Sequence, residues 1–294
     1  MAPNILVLTG PTASGKTALA VALAQAHNGE VVSADSMQIY RRMDIGTAKP
    51  TQGEMGGVPH HMLDVADPEE DFSVARYVTL AAACVDDILA RGKLPIVAGG
   101  TGLYVDSLLS GRTFAAFQPE SPLRGELEAR IRREGGQALL DELARVDPEA
   151  AARLHPNDEK RIVRALEVWL STGKTITLSY AHREEMWERI DRRVDQMMAA
   201  GLVEEVQGLL NSGVPAKCTA MQAIGYKEMA AALRSGGDVA QAAEEIKLRS
   251  RQYAKRQLTW FRRNKAARSI CWDGPPDLSS ACQTSTVFLE EAGI

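Results

Sequence analysis

The chain contains 294 residues, 45% of them hydrophobic, which is enough to bury a substantial core in one large domain or two ordinary ones. This composition excludes the fibrous and the disordered classes of protein. A formal net charge of −4 excludes a uniformly basic nucleic-acid binder, so any contact with a polyanion must come from a local basic patch.

The sequence carries no signal for export or for membrane insertion. Met1–Gly10 lacks a charged region and a cleavage site, and no stretch approaches the roughly 18 apolar residues of a membrane span. The four cysteines stand far apart, without the spacing of structural zinc sites; they are Cys84, Cys218, Cys271 and Cys282. We therefore expect a cytoplasmic protein with reduced thiols and no membrane partner.

A phosphate-binding loop follows the first predicted strand, Ile5–Leu8. The segment Gly10–Thr17 matches the pattern G-x-x-x-x-G-K-[ST], and a helix is predicted over Thr17–His27. In such a loop, glycines let backbone N–H groups converge on phosphate oxygens at the helix N-terminus. Lys16 adds a positive charge, and the Thr17 hydroxyl is placed to hold a Mg²⁺ ion. A glycine turn without a ligand is the alternative. The predicted phosphate-binding residues are Gly10, Thr12, Ala13, Ser14, Gly15, Lys16 and Thr17.

Strands and helices alternate over the next part of the chain. Strands are predicted at Val31–Asp35 and Leu94–Ala98, with a helix over Ser73–Arg91 between them. This alternation favours a parallel, doubly wound α/β sheet, in which ligands bind outside the carboxyl ends of the strands. We therefore expect Asp35, Thr101 and the phosphate loop to share one crevice.

Two groups of polar residues near this crevice have more than one interpretation. A carboxylate at Asp35, beside bound phosphate, could accept a proton from a nucleophile. It could equally cap the next helix or bind Mg²⁺ through water. His60 and His61 have no metal-ligand partners at helical spacing, so packing or a loop hydrogen bond is the better prediction for them.

The composition changes after Gly111 to charged, helix-forming residues, and the sheet pattern stops. The helices predicted here are Pro122–Glu134, Gln137–Val146, Pro148–Arg153 and Asp158–Ser171. We therefore predict a helical insertion domain over residues 113–182, after a first part of the P-loop core over residues 1–112.

The last helix of the insertion is amphipathic. Its outward face carries Lys160, Arg161 and Arg164, for which a solvated surface is the simplest interpretation. The candidates for burial are Ile162, Leu166 and Trp169.

Helical periodicity returns over Arg183–Leu210 and Val239–Asn264. Between Lys247 and Arg268 there are nine Lys or Arg residues and no Asp or Glu, with the aromatic residues Tyr253, Trp260 and Phe261 among them. Clustered cations favour an anionic macromolecular partner, and aromatic rings can stack on unpaired bases.

The spacing gives this basic helix two faces. Ala254, Leu258 and Phe261 form an apolar stripe, and Arg249, Arg256 and Arg263 form a cationic one. Two alternatives to nucleic-acid binding remain for the cationic stripe: it is a solvated surface, or it is a patch that binds the phosphate substrate. We assign residues 183–272 to helices that return to the core and residues 273–294 to a C-terminal tail.

Several motifs in this order resemble the tRNA dimethylallyltransferase family, in its bacterial form without a zinc finger. They are Gly10–Thr17, Asp35–Tyr40, Gly46–Pro50, Val58–His61, Gly99–Tyr104, Asn157–Asp158 with Arg161–Glu167, Ile224–Glu228 and Ala254–Trp260. The resemblance spans most of the chain and agrees with a P-loop NTPase-like parallel sheet core that carries a helical insertion domain.

The resemblance implies a reaction. The N6 amine of the adenosine on the 3′ side of the anticodon attacks dimethylallyl diphosphate and releases pyrophosphate. The loop N–H groups, Lys16 and Mg²⁺ would stabilise the charge on pyrophosphate, and the resemblance adds Arg193 as a further cation. It also makes Asp35 the base that takes the amine proton. A base stacked in a loop must turn out of its stack to reach such a crevice.

The resemblance further implies a set of residues that contact tRNA. Around the target nucleotide these are Asp35, Ser36, Met37, Gln38 and Thr101. On the insertion they are Arg124, Lys160, Arg161, Ile162, Val163 and Arg164. Nearer the C-terminus they are Ala220, Met221, Gln222, Ala223, Ile224, Gly225, Ser250, Arg251, Gln252, Tyr253, Ala254, Lys255, Arg256 and Gln257. Separately, we expect the protein to be a monomer.

One segment departs from the family's pattern. Ser179–His182 runs almost directly into the next helix, where the family usually has a longer connection with a sheet strand. We therefore expect a sheet that is one strand short or a chain that re-enters the sheet differently, and either outcome affects how Arg193 and the insertion domain are positioned.

Two other functions compete with prenyl transfer. A small-molecule kinase would bind ATP at the same loop and would need a metal-holding carboxylate, for which Asp64 is the candidate. A nucleic-acid-binding module with a regulatory loop is the other, but it gives no reason for Asp35 and Thr101 to line the crevice.

Overall fold

A six-stranded parallel sheet forms the centre of the chain. The computed structural model describes residues 5–109, 122–152, 154–171, 174–264 and 266–291. The strands are β1 (Leu6–Thr9), β2 (Gly29–Ser33), β3 (His60–His61), β4 (Leu94–Gly99), β5 (Lys174–Tyr180) and β6 (Arg268–Trp272). Their order is β3-β2-β4-β1-β5-β6, and every neighbouring pair is parallel. The predicted α/β class is confirmed.

Helices cover both faces of this sheet and build a separate insertion. The first four are α1 (Lys16–Ala26), α2 (Gln52–Met55), α3 (Val74–Ala90) and α4 (Gly102–Leu109). The insertion contains α5 (Pro122–Glu134), α6 (Gly136–Val146), α7 (Pro148–Ala151) and α8 (Glu159–Ser171). The later ones are α9 (Arg183–Ala199), α10 (Leu202–Asn211), α11 (Tyr226–Ser235), α12 (Val239–Phe261) and α13 (Leu278–Glu291), with a 3₁₀ helix at Ala220–Gln222.

Each face of the sheet has its own core because successive side chains of a strand point to opposite faces. In β1, Leu6 and Leu8 belong to the cluster that includes α1 and α13. Val7 belongs to the cluster that includes α3, α4 and α9–α12. All four residues of β1 are buried, as expected in the interior of a parallel sheet. This doubly wound arrangement places the ligand crevice at the carboxyl edge of the strands.

The insertion has its own small core, in which Leu127, Leu139, Ile162 and Leu166 are buried. The burial predicted for Ile162 and Leu166 is therefore confirmed. The side chain of Trp169, the end of the helix predicted to reach Arg153 and the predicted boundary at residue 113 lie outside the described residues.

The chain re-enters the sheet directly before the short connection to α9. β5 pairs with β1 on one side and with β6 on the other, with Leu6 opposite Lys174 and Tyr180 opposite Trp272. The residues that precede Ala181 thus supply a strand of the six-stranded sheet without a longer connection after them. Since β5 falls within residues 113–182, we propose that the insertion ends before Lys174.

Two further differences concern the C-terminal third. The single helix predicted over Arg183–Leu210 is broken at Gly201, whose φ of 103° lies in the region that favours glycine, and α10 begins at the next residue. The range predicted to be a tail contains α13, which packs against α1. Within the described chain, no helix is both long enough and apolar enough to cross a membrane.

Candidate active site

The phosphate loop connects β1 to α1 at the carboxyl edge of the sheet. Gly15, directly before α1, has a φ of 85°. At Gly10, with a φ of 152°, a Cβ would lie 2.8 Å from the carbonyl oxygen of Leu178 in β5. Glycine at these two positions therefore lets the loop curl over the N-terminus of α1, where unpaired N–H groups favour an anion.

Side chains from β5, α9 and β6 hold the carbonyls of this loop. The Ala13 carbonyl accepts hydrogen bonds from Tyr180 Oη at 2.9 Å and from Arg189 Nε at 3.1 Å. The Ser14 carbonyl accepts one from Trp272 Nε1 at 2.9 Å. The Ser14 hydroxyl is buried and has no hydrogen-bond partner among the described residues, so it can still bond a phosphate oxygen. The loop is thus braced before any ligand binds.

Lys16 lies in an electrostatically unfavourable position. Its Nζ donates to the carbonyl of Pro11 at 2.7 Å. Burial of the ammonium group, and next the positive charge of Arg193, lower the pKa of Lys16 to about 7, while Asp35 acts in the opposite direction. A bound anion would relieve this repulsion, which is expected of a cation placed to receive phosphate.

Asp35 and Thr101 lie at the ends of β2 and β4, which are neighbours in the sheet. The Thr101 N–H donates to the carbonyl of Ala34 at 3.1 Å, and the Ser36 N–H donates to Thr101 Oγ1 at 3.0 Å. Asp35 Oδ1 accepts from the N–H groups of the second and third residues after it, at 2.9 and 3.4 Å. This local turn orients the carboxylate.

Three connected cavities surround these residues. A central chamber of about 90 Å³ is lined by Lys16, Asp35 and Arg193, among others. On one side lies the loop-side cavity, about 770 Å³, lined by residues 13–18 and by Arg193. On the other lies the helix-side cavity, about 300 Å³, lined by Asp35, Arg193 and residues of α9 and α12. The crevice predicted for Asp35 and the phosphate loop is therefore present.

Arg193 lines all three cavities from α9. Its Nη1 donates to Thr12 Oγ1 at 3.3 Å. Burial lowers the pKa of Arg193 from its ordinary value, and Asp35 opposes that shift. Arg193 therefore lies at the phosphate loop, since α9 begins three residues after the end of β5 and carries it there.

Among the residues predicted to meet the target nucleotide, Asp35 lines both the helix-side cavity and the central chamber, and Thr101 lines none of the three cavities. Ser36 and Met37 line the helix-side cavity. Gln38 lines the central chamber, and its Nε2 donates to the carbonyls of Thr47 at 3.3 Å and Ala48 at 3.1 Å. Gln38 therefore also holds the segment that walls the crevice.

The C-terminal segments predicted to contact tRNA are only partly exposed to the crevice. The members that line the helix-side cavity are Gln222, Ala223, Ile224, Ser250, Tyr253 and Arg256. Ala220, Met221 and Ala254 are buried in apolar clusters, so their side chains cannot contact tRNA directly. On the insertion the same holds for Ile162 and Val163, which face its core.

Two of the other insertion residues predicted to contact tRNA do not line the crevice. Lys160 and Arg161 are exposed on α8, and neither lines the three cavities. The Arg161 side chain is 75% exposed. The side chains of Arg124 and Arg164 lie outside the described residues.

A carboxylate that no sequence motif indicated holds the wall of the crevice. Glu205, on α10, accepts hydrogen bonds from the N–H groups of Asp44, Ile45 and Gly46 at 2.9, 2.8 and 3.1 Å. Tyr226 Oη donates to the same carboxylate at 2.5 Å. Glu205 lies about 160 residues after Asp44, Ile45 and Gly46 in the chain, so no local pattern could have identified this contact.

The basic face of α12 is exposed, as its spacing predicts. Arg249, Arg256 and Arg263 are all exposed. Arg256 lies over the ring of Tyr253, 5.6 Å from its centroid, and Arg263 lies over Trp260 at 5.0 Å. Arg249 is partly neutralised by Glu245 at 2.6 Å.

The described chain contains no cluster of three or more His, Cys, Asp or Glu residues that could hold a metal. His60 lies 2.9 Å from the carbonyl of Val58, and His61 lies 2.8 Å from Glu30, in agreement with the predicted hydrogen-bonding role. Asp64, the carboxylate that a kinase would need, is paired with Lys49 at 2.6 Å and lines none of the three cavities.

Comparisons with known proteins agree with this geometry. The family model described as IPP transferase matches residues 38–264, and one described as isopentenyl transferase matches residues 3–70. The chain is 47% identical to tRNA dimethylallyltransferase 1 of Trichlorobacter lovleyi, over 92% of this chain and 95% of the relative. It is 48% identical to the tRNA dimethylallyltransferase of Geobacter sulfurreducens, over 91% of each.

Solved structures are similar as well. The crystal structure of a tRNA isopentenylpyrophosphate transferase from Bacillus halodurans has a TM-score of 0.72 and 42% identity, over 98% of this chain and 97% of that one. A eukaryotic dimethylallyltransferase acting on tRNA has a TM-score of 0.69 and 30% identity, over 98% of this chain and 79% of that one.

Proposed function

The chain belongs to the tRNA dimethylallyltransferase family, and from this we propose that it transfers the dimethylallyl group of dimethylallyl diphosphate to the N6 amine of the adenosine on the 3′ side of the anticodon. Pyrophosphate is the second product. The observation that supports this best is the central chamber, in which Asp35 shares one small space with Lys16 and Arg193 between two larger cavities.

The loop-side cavity suits the diphosphate. N–H groups at the start of α1, Lys16 and Arg193 converge on it. As the bond between the allylic carbon and oxygen breaks, its electron pair stays on the diphosphate, and these groups stabilise the added charge. The new bond forms between N6 and the same carbon.

Asp35 is suited to take the proton that N6 loses. Its Oδ1 accepts the two N–H groups of the local turn. Among the described residues Oδ2 makes no hydrogen bond, so this oxygen is available for the proton. Because β2 and β4 hold the carboxylate in the chamber with Lys16, the base and the leaving group can act on opposite sides of the reacting carbon.

The helix-side cavity suits the adenine. Its volume of about 300 Å³ lies at the lower end of the range for small-ligand sites, which fits one base turned out of its stack. Met37 and Tyr253 line it and offer an apolar surface and a ring for stacking.

Mg²⁺ fits this site as an ion that the substrate's phosphate oxygens help to bind. Thr17 lines both the loop-side cavity and the chamber, and the described chain has no carboxylate cluster to hold the ion by itself. We propose that the Thr17 hydroxyl, phosphate oxygens and water would bind it, a ligand set typical of this metal. When bound, the ion would neutralise part of the diphosphate charge.

The exposed cations provide the remaining tRNA contacts in this proposal. The basic face of α12 lies next to the helix-side cavity, so an anticodon stem-loop placed there would bring its bases to Tyr253. The insertion, through exposed Lys160 and Arg161, would meet the tRNA further out. We further propose that the protein acts as a monomer in the cytoplasm.

A transfer assay tests the proposal. Purified protein with Mg²⁺ and radiolabelled dimethylallyl diphosphate should label a tRNA with adenosine at the 3′ side of its anticodon. The matched tRNA with guanosine at that position should stay unlabelled. Labelling of neither tRNA, with phosphate transfer from ATP to a small hydroxyl compound, would favour the kinase instead.

A further inference from the structure

Gln257 is the one member of the predicted tRNA-binding segment on α12 whose side chain is bonded into the phosphate loop. The residue is 6% exposed. Its Oε1 accepts a hydrogen bond from the N–H of Thr12 at 2.9 Å, and its Nε2 donates to the carbonyl of Gly100 at 2.9 Å. Both ends of a buried amide are thus used within the protein, and neither is directed to a partner outside it.

The two bonds join the two loops that form the reaction crevice. Thr12 belongs to the phosphate loop after β1, and Gly100 belongs to the turn after β4 that leads to Thr101. A Cβ at Gly100 would overlap Gln257 Nε2. The absence of a side chain at residue 100 therefore makes the space that the amide occupies.

The same contact extends to the cation on the opposite side of the chamber. Thr12 receives the Gln257 bond at its N–H, and its Oγ1 accepts from Arg193 Nη1 at 3.3 Å. Gln257 and Arg193 both line the central chamber, with Thr12 between them. A displaced Thr12 would therefore displace a guanidinium that faces the diphosphate.

From this arrangement we propose that Gln257 is a positioning residue for the diphosphate, and that it does not contact tRNA. The ligand in this statement rests on the proposed function. Gln257 acts through Thr12, by holding the first part of the phosphate loop in the shape that presents its later N–H groups and Arg193 to the diphosphate.

The chemistry of the side chain explains why an amide is required. A single group must accept at one end and donate at the other, and glutamine does both over the length available. Gln257→Leu removes both bonds at similar size. Gln257→Asn keeps both the acceptor and the donor, without a charge, on a side chain one carbon shorter, so it can reach only one of the two loops and should cause a smaller loss.

The proposal is tested by binding of two ligands measured separately. Titration calorimetry of the full chain with Mg²⁺ and inorganic pyrophosphate should show about tenfold weaker binding for Gln257→Leu and a smaller loss for Gln257→Asn. Binding of tRNA, and its dependence on salt, should stay at the wild-type value. In the transfer assay, the KM for dimethylallyl diphosphate should rise while the KM for tRNA does not. Gln241→Leu, at an exposed position of the same helix, is the matched control and should change none of these.

The opposite pattern would overturn the proposal. Weaker tRNA binding with unchanged pyrophosphate binding would make Gln257 a tRNA contact, and no change in either would leave it without a role. If Gln257→Leu does not fold, as judged by its thermal transition, Gln257→Asn decides by the same two affinities. Pyrophosphate binding does not require prenyl transfer. A wild-type protein that binds pyrophosphate without modifying tRNA would refute the proposed function and leave Gln257 testable.

Discussion

The low pKa of Lys16 predicts that pyrophosphate binding weakens as the pH rises through 7. Burial, and next Arg193, disfavour the charged ammonium in the free protein and lower its pKa to about 7. The group is therefore charged below that pH and neutral above it. An anion binds the charged form better, so affinity should be highest below pH 7 and should decrease above it.

The size of the effect follows from the fraction of Lys16 that is charged. With a pKa of about 7, that fraction is about nine tenths at pH 6 and about one tenth at pH 8. If only the charged form binds well, affinity falls about tenfold over these two pH units. Binding near pH 7 should also take up a proton, because the bound anion raises the pKa of Lys16 again.

The assay is titration calorimetry of wild-type protein and Lys16→Ala with Mg²⁺ and pyrophosphate at pH 6, 7 and 8. The ligand has its own phosphate ionisations, but these affect both proteins equally and cancel in the ratio of the two affinities. That ratio should shrink about tenfold between pH 6 and pH 8. A ratio that stays constant would show that Lys16 keeps its charge across this range, and the argument from burial would be wrong.

Three other changes test separate parts of the site. Asp35→Asn keeps an acceptor for the local turn and should lower turnover about 10² or more with nearly unchanged tRNA affinity; equal turnover would remove Asp35 from the mechanism. Glu205→Ala should lower the free energy of unfolding by about 2 kcal/mol and reduce turnover, because three N–H groups of residues 44–46 lose their acceptor. The control in denaturant unfolding is Glu204→Ala, at an exposed position of the same helix. Equal stability of the two variants would contradict this role of Glu205. Joint replacement by alanine of Arg249, Arg256 and Arg263 should reduce the slope of log affinity for tRNA against log salt by up to about 2. An unchanged slope would mean that this face does not meet the tRNA.

The parts of the fold that the sequence predicts correctly are those with a local signal. The phosphate loop is a contiguous motif between a strand and a helix, and Asp35 and Thr101 follow strands whose carboxyl ends meet at one edge of a parallel sheet. The crevice shared by Asp35 and the phosphate loop therefore follows from the order of strands and motifs along the chain, whereas Thr101, expected in the same crevice, lines none of the three cavities. The two faces of α12 follow in the same way from helical spacing.

The missed features depend on contacts between distant parts of the chain. β6 is five residues long and alternates in burial, so its short pattern was hidden beside the basic helix. Glu205 and Gln257 each hold loops far away in sequence, and neither belongs to a pattern of local spacing. The family resemblance places Gln257 in a segment that contacts tRNA. A role given to a whole segment does not show which side of the helix each residue occupies, and Gln257 lies on the buried side.

The charges around the central chamber are arranged asymmetrically, and this arrangement has a consequence for the reaction. Lys16 and Arg193 line both the chamber and the loop-side cavity, whereas Asp35 is the only carboxylate among the described residues that line the chamber. In the proposed reaction, the cations would stabilise the departing pyrophosphate but oppose positive charge on the allylic carbon. Asp35 would offset that repulsion on the side where the amine approaches. We therefore propose that one carboxylate serves two purposes: it stabilises the carbon while the bond to oxygen breaks and then accepts the proton from nitrogen.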